Sequence, residues 1–272
     1  MAVYDTVENK RTEYTRQTLM SLLRTVNFNR HRLVIVDNNS CEQTKDLLQS
    51  FMVSFVSRPS PITIITLNQN LGTAGGINQA WRLRNPGEHA IKMDNDVVIH
   101  QKGWADDLEE AIRRDARIGI VGLKRKDCWE NPAHKDPFYR SELYMIPHQP
   151  GEKWMIGEKV NHVMGTCQMY SSALLDKIGY LQQPSLYGFD DSWAAVRCKL
   201  AGFINVFLPY INIDHIDAGD TPYQKWKEEH AGACWTEYHE TIAAWKSGAK
   251  SIYYNPFTKA NLVVEGKIYQ SE

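Results

Sequence analysis

The stretch Ile91-Lys92-Met93-Asp94-Asn95-Asp96-Val97-Val98-Ile99 decides how this chain is read. Two apolar runs of the kind that form buried strands flank an acidic triplet, which falls where the first strand ends. Ionised carboxylates are costly to bury without a partner, and a cation is the natural one. Hard divalent cations take carboxylate oxygens and keep positions open for water and substrate phosphates. An Asp-x-Asp at a strand end is therefore a candidate metal–diphosphate site. The same triplet also suits a plain turn, because Asp and Asn side chains bond nearby backbone and tolerate unusual φ and ψ. Its weight depends on what lies along the rest of the chain.

The 272 residues are 43% hydrophobic and 23% charged. That is ordinary globular composition, with material for one large core or for a domain with an appendage. A net charge of −1 supplies no general attraction to nucleic acid or an anionic membrane. The longest apolar runs, such as Ile62-Thr63-Ile64-Ile65-Thr66-Leu67, fall far short of a membrane span. The N-terminus lacks the basic-then-apolar pattern of a signal peptide, so a cytoplasmic protein is expected. The five cysteines, Cys41, Cys128, Cys167, Cys198 and Cys234, are odd in number and contain no Cys-x-x-Cys pair. Neither a zinc site nor a disulfide framework is indicated. Eight Trp and 13 Tyr supply side chains with an apolar body and a polar tip, suited to a core or a sugar-binding cleft.

Strand and helix signals alternate through the first half. Ala2–Tyr4 reads as a short strand, Tyr14–Thr25 as a helix and Leu33–Val36 as a buried strand. The spacing of Ser40 and Gln43 fits a capping box and predicts a helix from about Cys41 to Met52. Strands follow at Ile62–Leu67, Ala90–Met93 and Ile118–Leu123, with helices at about Ala74–Arg84 and Trp104–Arg114. This pattern predicts an α/β fold, a Rossmann-like, mostly parallel sheet flanked by helices. Ligands of such sheets bind outside the carboxyl ends of the strands, where Asp37, Asn70 and Asp94 fall. Residues 124–158 read as an irregular, proline-rich excursion, a lid or acceptor loop. Val160–Tyr170 reads as a strand, Ala173–Ile178 and Asp191–Leu200 as helices, and Ile204–Leu208 as a strand. From about Tyr223 to Trp245 the pattern is helical, and 247–272 form a polar, aromatic tail. The division expected is 1–220 for a catalytic domain and 221–272 for a helical C-terminal extension and tail.

Three further segments carry chemistry. Asn68-Gln69-Asn70-Leu71-Gly72-Thr73-Ala74-Gly75-Gly76-Ile77-Asn78 is a strand–turn–helix junction. Its glycines and helix N-terminus suit either an anion or plain close packing. It is not Gly-x-Gly-x-x-Gly, and no P-loop is present. Tyr187-Gly188-Phe189-Asp190-Asp191-Ser192-Trp193 places two carboxylates at a helix start, where the helix dipole favours them and where a general base would also sit well. Arg197 falls off the Asp191 face and is expected to anchor the helix elsewhere. Asn212-Ile213-Asp214-His215-Ile216-Asp217 sets a histidine among acids after an apolar strand, and imidazole is a frequent transition-metal ligand.

Taken in order, Asp37 after Val34-Ile35-Val36, Asn70-x-Gly72-x-x-Gly75-Gly76-x-Asn78, Asp94-x-Asp96, Asp190-Asp191 and His215 resemble the family 2 glycosyltransferases of the GT-A fold. The closer likeness is to their rhamnosyl- and galactofuranosyl-transferase-like branch, and it covers roughly residues 2–217. The resemblance implies a nucleoside diphosphate sugar as donor, UDP- or dTDP-linked, and Mn²⁺ or Mg²⁺ as cofactor. It implies that Asp37 contacts the base, that Asn70, Gly72, Gly75, Gly76 and Asn78 form the donor loop, and that Asp94 and Asn95 lie near the ribose. Asp96, Asp94 and His215 would hold the metal. Asp191 would be the catalytic base, with Asp190 beside it to orient the acceptor, and the region Gly165-Thr166-Cys167 would line the acceptor side. The family's Pro-x-Tyr-Asn-like turn at the base is replaced by Val3-Tyr4-Asp5-Thr6, which puts Tyr4 and Asp5 at that contact. The first acid of the usual Glu-Asp pair is Asp190, one methylene shorter.

The implied reaction is direct, inverting displacement by an acceptor hydroxyl. Two other classes compete. A sugar-nucleotide nucleotidyltransferase uses a related sheet but favours an early Gly-rich loop with Arg and Lys, which residues 1–12 lack. A non-catalytic sugar or nucleic-acid binder on the same fold would have no need of Asp96, Asp191 and His215 together. The acceptor stays open between a glycan, a small molecule and a modified DNA base, with the first two favoured. Lys124, Arg125 and Lys126 near Trp129, and Lys246, Lys250, Lys259 and Lys267 near Tyr253, Tyr254 and Phe257, suit basic–aromatic surfaces or simply solvated loops.

Overall fold

A computed structural model describes residues 1–53, 60–127, 141–217, 222–257, 261–264 and 267–270. The apolar run at Leu33–Asp37 forms strand β2, flanked in parallel by β1 (Ala2–Val3) and β3 (Ile62–Thr66). Successive strand residues face opposite sides, so each strand supplies two cores. Ile35 and Ile62 join Leu19, Leu48 and Phe51 beneath helices α1 (Thr12–Thr25) and α2 (Glu42–Val53). Val36 and Ile65 turn the other way, against Ala74 and Ile77 of α3 (Gly72–Trp81).

The second sheet is mixed. Its order is β4 (Ala90–Met93), β9 (Cys167–Tyr170), β6 (Ile118–Arg125), β10 (Ile204–His215), β8 (Ile156–Val160) and β7 (Ser141–Met145). β6 and β10 run parallel and the other pairs on this path antiparallel. Helix α4 (Trp104–Arg114) covers it with Trp104, Ala105, Leu108, Ala111 and Ile112, one apolar stripe at helical spacing. The architecture is the expected α/β one, with helices flanking the sheets.

Several local expectations change. The excursion at 124–158 is not irregular throughout, since β6 extends to Arg125 and β7 pairs with β8. β7 is mostly exposed, and its run Leu143-Tyr144-Met145 lies between prolines that read as an irregular stretch. The single strand expected over Val160–Tyr170 is two strands, β8 and β9, joined by a loop at 161–166. The strand expected to stop at Leu208 continues past Pro209 to His215 through a register shift between Leu208 and Asn212. Its far end pairs antiparallel with β5 (Val97–Ile99), with His215 opposite Val97. Ser40 does not cap α2. Its hydroxyl accepts from the Asp5 amide at 3.1 Å and lies 3.3 Å from the Val3 carbonyl.

Helix α5 (Ser172–Ile178) starts at Ser171, whose hydroxyl accepts from the Leu174 amide at 3.2 Å. It leads to α6 (Asp190–Leu200), α7 (Pro222–Ala233) and α8 (Trp235–Lys246). Trp193 of α6 packs with Tyr238 and Trp245 of α8. Arg197 is fully buried and donates to the carbonyls of Ile252 and Tyr180, both at 2.8 Å. It thus anchors α6 to the C-terminal segment. The tail carries a hairpin, β11 (Asn261–Val264) with β12 (Lys267–Gln270). Among the described residues no helix is long and apolar enough to cross a membrane. Cys128, Trp129 and Lys259 lie outside the described residues.

Candidate active site

Where β1 and β4 end, a cleft of about 670 Å³ opens. Tyr4, Asn70, Gly72, Asp94, Asn95, Asp96, Asp190, Asp191 and His215 all line it. The sequence places these residues far apart, and strand order brings them together.

The acidic triplet is held from both sides. The Asp94 amide donates to the Thr166 carbonyl at 3.0 Å, and the Ile216 amide donates to the Asp96 carbonyl at 2.9 Å. Asn95 turns inward, donating to Asp5 Oδ1 at 2.9 Å and approaching Thr15 Oγ1 at 2.7 Å. Asp5 is fully buried and also accepts from the Thr15 and Thr44 hydroxyls. The donor contact expected of Asp5 is therefore not available: its carboxylate is consumed in bracing the triplet against α1 and α2.

Asp96 has two oxygens with different fates. Oδ2 meets Arg11 Nη2 at 2.5 Å and His215 Nε2 at 3.4 Å. Oδ1 is buried without a hydrogen-bond partner among the described residues. Burial would raise this carboxyl, but His215 and Arg11 outweigh it and hold it below the usual carboxylate range. Asp94 goes the other way. Burial raises it, Lys92 at 3.0 Å opposes, and the neighbouring Asp96 adds to the rise. A carboxylate with one oxygen unpartnered, an imidazole and a second carboxylate are the donor types that suit a divalent ion such as Mn²⁺ or Mg²⁺. Among the described residues the trio of such side chains whose ligand atoms all lie within 4.8 Å of one another is His31 with Asp106 and Glu109, away from the cleft, so Asp94, Asp96 and His215 would have to draw closer to share one ion. In the His31 trio Arg30 already pairs with Asp106 at 2.7 Å and with Glu109 at 2.8 Å.

The acid pair opens α6 behind Phe189, whose φ of 64° is unusual for a bulky residue. Phe189 is held there by stacking on Tyr238, with ring centroids 4.4 Å apart. Asp191 Oδ2 accepts from the Gly165 amide at 2.8 Å and lies 3.2 Å from His162 Nε2, while Oδ1 accepts from the Ser192 amide at 2.7 Å. Burial would raise Asp191, yet His162, Lys92 and the Gly165 amide keep it well below the usual range. Burial pushes Asp190 up to about 6, with Lys92 opposing and Asp191 and Asp94 adding. Lys92 links the two acidic groups. Its ammonium donates to the Gly165 carbonyl at 2.6 Å and stands 3.0 Å from Asp94 and 3.4 Å from Asp190.

The Gly-rich junction is a packing device. The amides of Leu71, Gly72 and Ala74 donate to Asn38 Oδ1, Asn70 Oδ1 and Gln183 Oε1 at 2.9, 2.9 and 2.6 Å, and that of Thr73 donates to the Leu186 carbonyl at 3.3 Å. The helix N-terminus is thus satisfied by protein, which favours the close-packing alternative over the anion one. A Cβ on Gly72 would stand 2.7 Å from the Leu186 carbonyl oxygen at a φ of +74°. One on Gly76 would meet Ala2 at 3.0 Å, and one on Gly75 would meet Leu71 at 2.8 Å. Asn78 exchanges two 2.9 Å hydrogen bonds with the Leu181 backbone. Gly75, Gly76 and Asn78 do not line the cleft. Asp37, 1% exposed, accepts from the Ser40 amide at 2.7 Å through Oδ1, and its buried Oδ2 has no hydrogen-bond partner among the described residues.

Sequence reasoning missed Arg11, Lys92, His162, Tyr187, Tyr223, Trp226 and Lys227, all in the cleft wall. Lys92 had a signal, a charge inside an apolar strand. The others had none beyond composition. The basic stretch at 124–126 is largely neutralised, with Lys124 on Glu158 and Arg125 on Asp127.

Residues 6–179, well over half of the chain, match the model of glycosyl transferase family 2. The mannosyltransferase PcManGT from Pyrobaculum calidifontis, solved with GDP-Man and Mn²⁺, superposes with a TM-score of 0.60 at 17% identity, over 83% of this chain and 59% of that one. S. aureus TarS 1–349 with UDP-GlcNAc gives 0.59 at 17% identity, over 89% and 65%. GalNAc-T7 with UDP, GalNAc and Mn²⁺ gives 0.57 at 12% identity, over 92% and 51%. The chain thus spans less than two thirds of each of these proteins, and the likeness is one of fold. No curated protein sequence matches.

Proposed function

The chain belongs to glycosyl transferase family 2, and we propose that it moves a sugar from a nucleoside diphosphate donor to an acceptor hydroxyl by metal-dependent, inverting displacement, in the manner of the rhamnosyl- and galactofuranosyl-transferase-like branch. The observation that carries this is Asp96. Its Oδ1 has no hydrogen-bond partner among the described residues and its Oδ2 lies 3.4 Å from His215, in the same cleft as a second acidic pair that Lys92 links to Asp94.

Asp96 and His215, with Asp94, would hold Mn²⁺ or Mg²⁺, which supplies positive charge against the departing diphosphate. The two neighbours solved with Mn²⁺ support that choice of ion. UDP or dTDP is favoured on the resemblance at Asp37, which does not itself line the cleft but adjoins cleft-lining Asn38 and has a buried Oδ2 without a hydrogen-bond partner among the described residues. Asp191 takes the acceptor proton as the acceptor oxygen bonds to the anomeric carbon. The bond from that carbon to the phosphate oxygen breaks, and its electron pair leaves with the diphosphate. The Gly165 and Ser192 amides fix the Asp191 carboxylate for this task. Asp190 orients the acceptor. Tyr187 and Trp226 bring aromatic faces to the same cleft, suited to a glycan or other small hydroxyl acceptor. Seven carboxylates and four basic side chains line it, which disfavours a polyanion such as DNA.

The test is a thermal-stability screen of nucleoside diphosphate sugars with Mn²⁺ or Mg²⁺, followed by donor-hydrolysis assays. Metal-dependent stabilisation by a pyrimidine donor, with slow hydrolysis, is expected. Stabilisation by no donor in either metal would overturn the proposal.

A further inference from the structure

Arg11 is the cation that Asp96 holds in this structure. It stands at the N-cap of α1 with its side chain 4% exposed. One guanidinium nitrogen lies 2.5 Å from Asp96 Oδ2 and the other 2.7 Å from Asp217 Oδ2. Lys227 of α7 reaches the same Asp217 oxygen at 2.9 Å. The ring centroid of Tyr223 lies 4.7 Å from both the Arg11 guanidinium carbon and the Lys227 ammonium.

A guanidinium cannot shed its charge by losing a proton. A divalent ion approaching Asp96 therefore meets a fixed positive charge on the same carboxylate, in a buried site where screening is weak. An ion on the orphaned Oδ1 sets a second positive charge against Arg11 on Oδ2 and weakens that contact. With that contact weakened, Arg11 is left chiefly to Asp217, which it shares with Lys227. The planar guanidinium fork matches phosphate oxygens in two parallel hydrogen bonds. A diphosphate beside the ion is then its natural next partner.

We propose that Arg11 is a surrogate counter-ion, neutralising Asp96 until the divalent ion arrives and then passing to the diphosphate of the donor. The proposal rests on the metal–diphosphate reading of Asp96. It makes ion and diphosphate bind cooperatively, each easing the other's entry, and that coupling is reciprocal.

Mn²⁺ binding to the full chain, followed by electron paramagnetic resonance with and without UDP, tests this. Arg11→Gln is expected to bind Mn²⁺ alone about tenfold tighter and UDP, in saturating Mn²⁺, about tenfold weaker, the scale of a typical coupling energy. Opposite signs distinguish exchange from a structural role, which would weaken both. Arg11→Lys keeps the charge without the fork. It should bind Mn²⁺ alone as the parent does and UDP more weakly, and it serves if the Gln variant fails to fold. Unchanged or weaker Mn²⁺ binding by a folded Arg11→Gln overturns the exchange while leaving the metal site standing. Absence of Mn²⁺ binding in parent and variant alike, with and without UDP, overturns both.

Discussion

The cleft holds two pairs of carboxylates, Asp94 with Asp96 and Asp190 with Asp191, and the pairs differ in which member carries the buried oxygen without a hydrogen-bond partner among the described residues, Asp96 in one and Asp190 in the other. Each splits in the same way. One member gains a basic partner and stays ionised, Asp96 through His215 and Arg11, Asp191 through His162. The other is left with burial and Lys92, and its pKa rises. The difference lies in the spare oxygens. Both oxygens of Asp191 have hydrogen-bond donors, whereas Oδ1 of Asp96 has none among the described residues. A satisfied carboxylate is positioned to act on something brought to it, while a buried, orphaned one is waiting for a ligand.

The contrast can be broken by substitution. Asp96→Ala should have the largest effect, abolishing Mn²⁺-dependent donor binding and lowering transfer by about 10³-fold or more, as read by calorimetry and product formation. Asp191→Asn should lower turnover by about 10²–10⁴-fold while donor affinity stays near the parent's. Near-normal turnover in that variant would remove Asp191 as the base. Lys92→Met should show what the shared ammonium does. It leaves Asp190 buried and the partly exposed Asp94 without their cation, and a loss of about 3 kcal/mol in chemical denaturation is expected, nearly all of it from Asp190.

The smallest effect belongs to His162→Gln. Burial lowers the His162 pKa, but Asp191 outweighs this and sets it above the usual 6.5. The charged pair therefore contributes its full stability below 6.5, and that contribution fades as pH rises through the folded value. The stability gap between parent and His162→Gln should narrow from pH 6 upward. A gap that widens with pH would show that His162 is neutral in the folded protein.

Much of the frame was legible because it follows from periodicity. The stripe of Trp104, Leu108 and Ala111 and the buried runs at Leu33–Val36 and Ile62–Thr66 announce themselves. β7 was hidden because its short run Leu143-Tyr144-Met145 sits among the prolines of a stretch that reads as irregular. The continuation of β10 was hidden because Pro209 and a register shift interrupt its pattern. The acids of the site could be read, since their types and order are distinctive. Their partners could not. Arg11 meets Asp96 across 85 residues of sequence, a contact decided by tertiary packing and invisible to local spacing. The Gly-rich junction stayed open because glycines serve close packing and anion approach equally well.

The pairing of His215 with Val97 means that the histidine reaches Asp96 by strand register. Register changes only in whole residues, and a slip of one turns every side chain to the opposite face. The spacing of the site is therefore quantised. It tolerates the small elastic distortions that accompany thermal motion. A single residue inserted between Pro209 and Asn212 has nowhere to be absorbed except the bulge already there, which makes that bulge the expansion joint between the sheet's core and its chemistry.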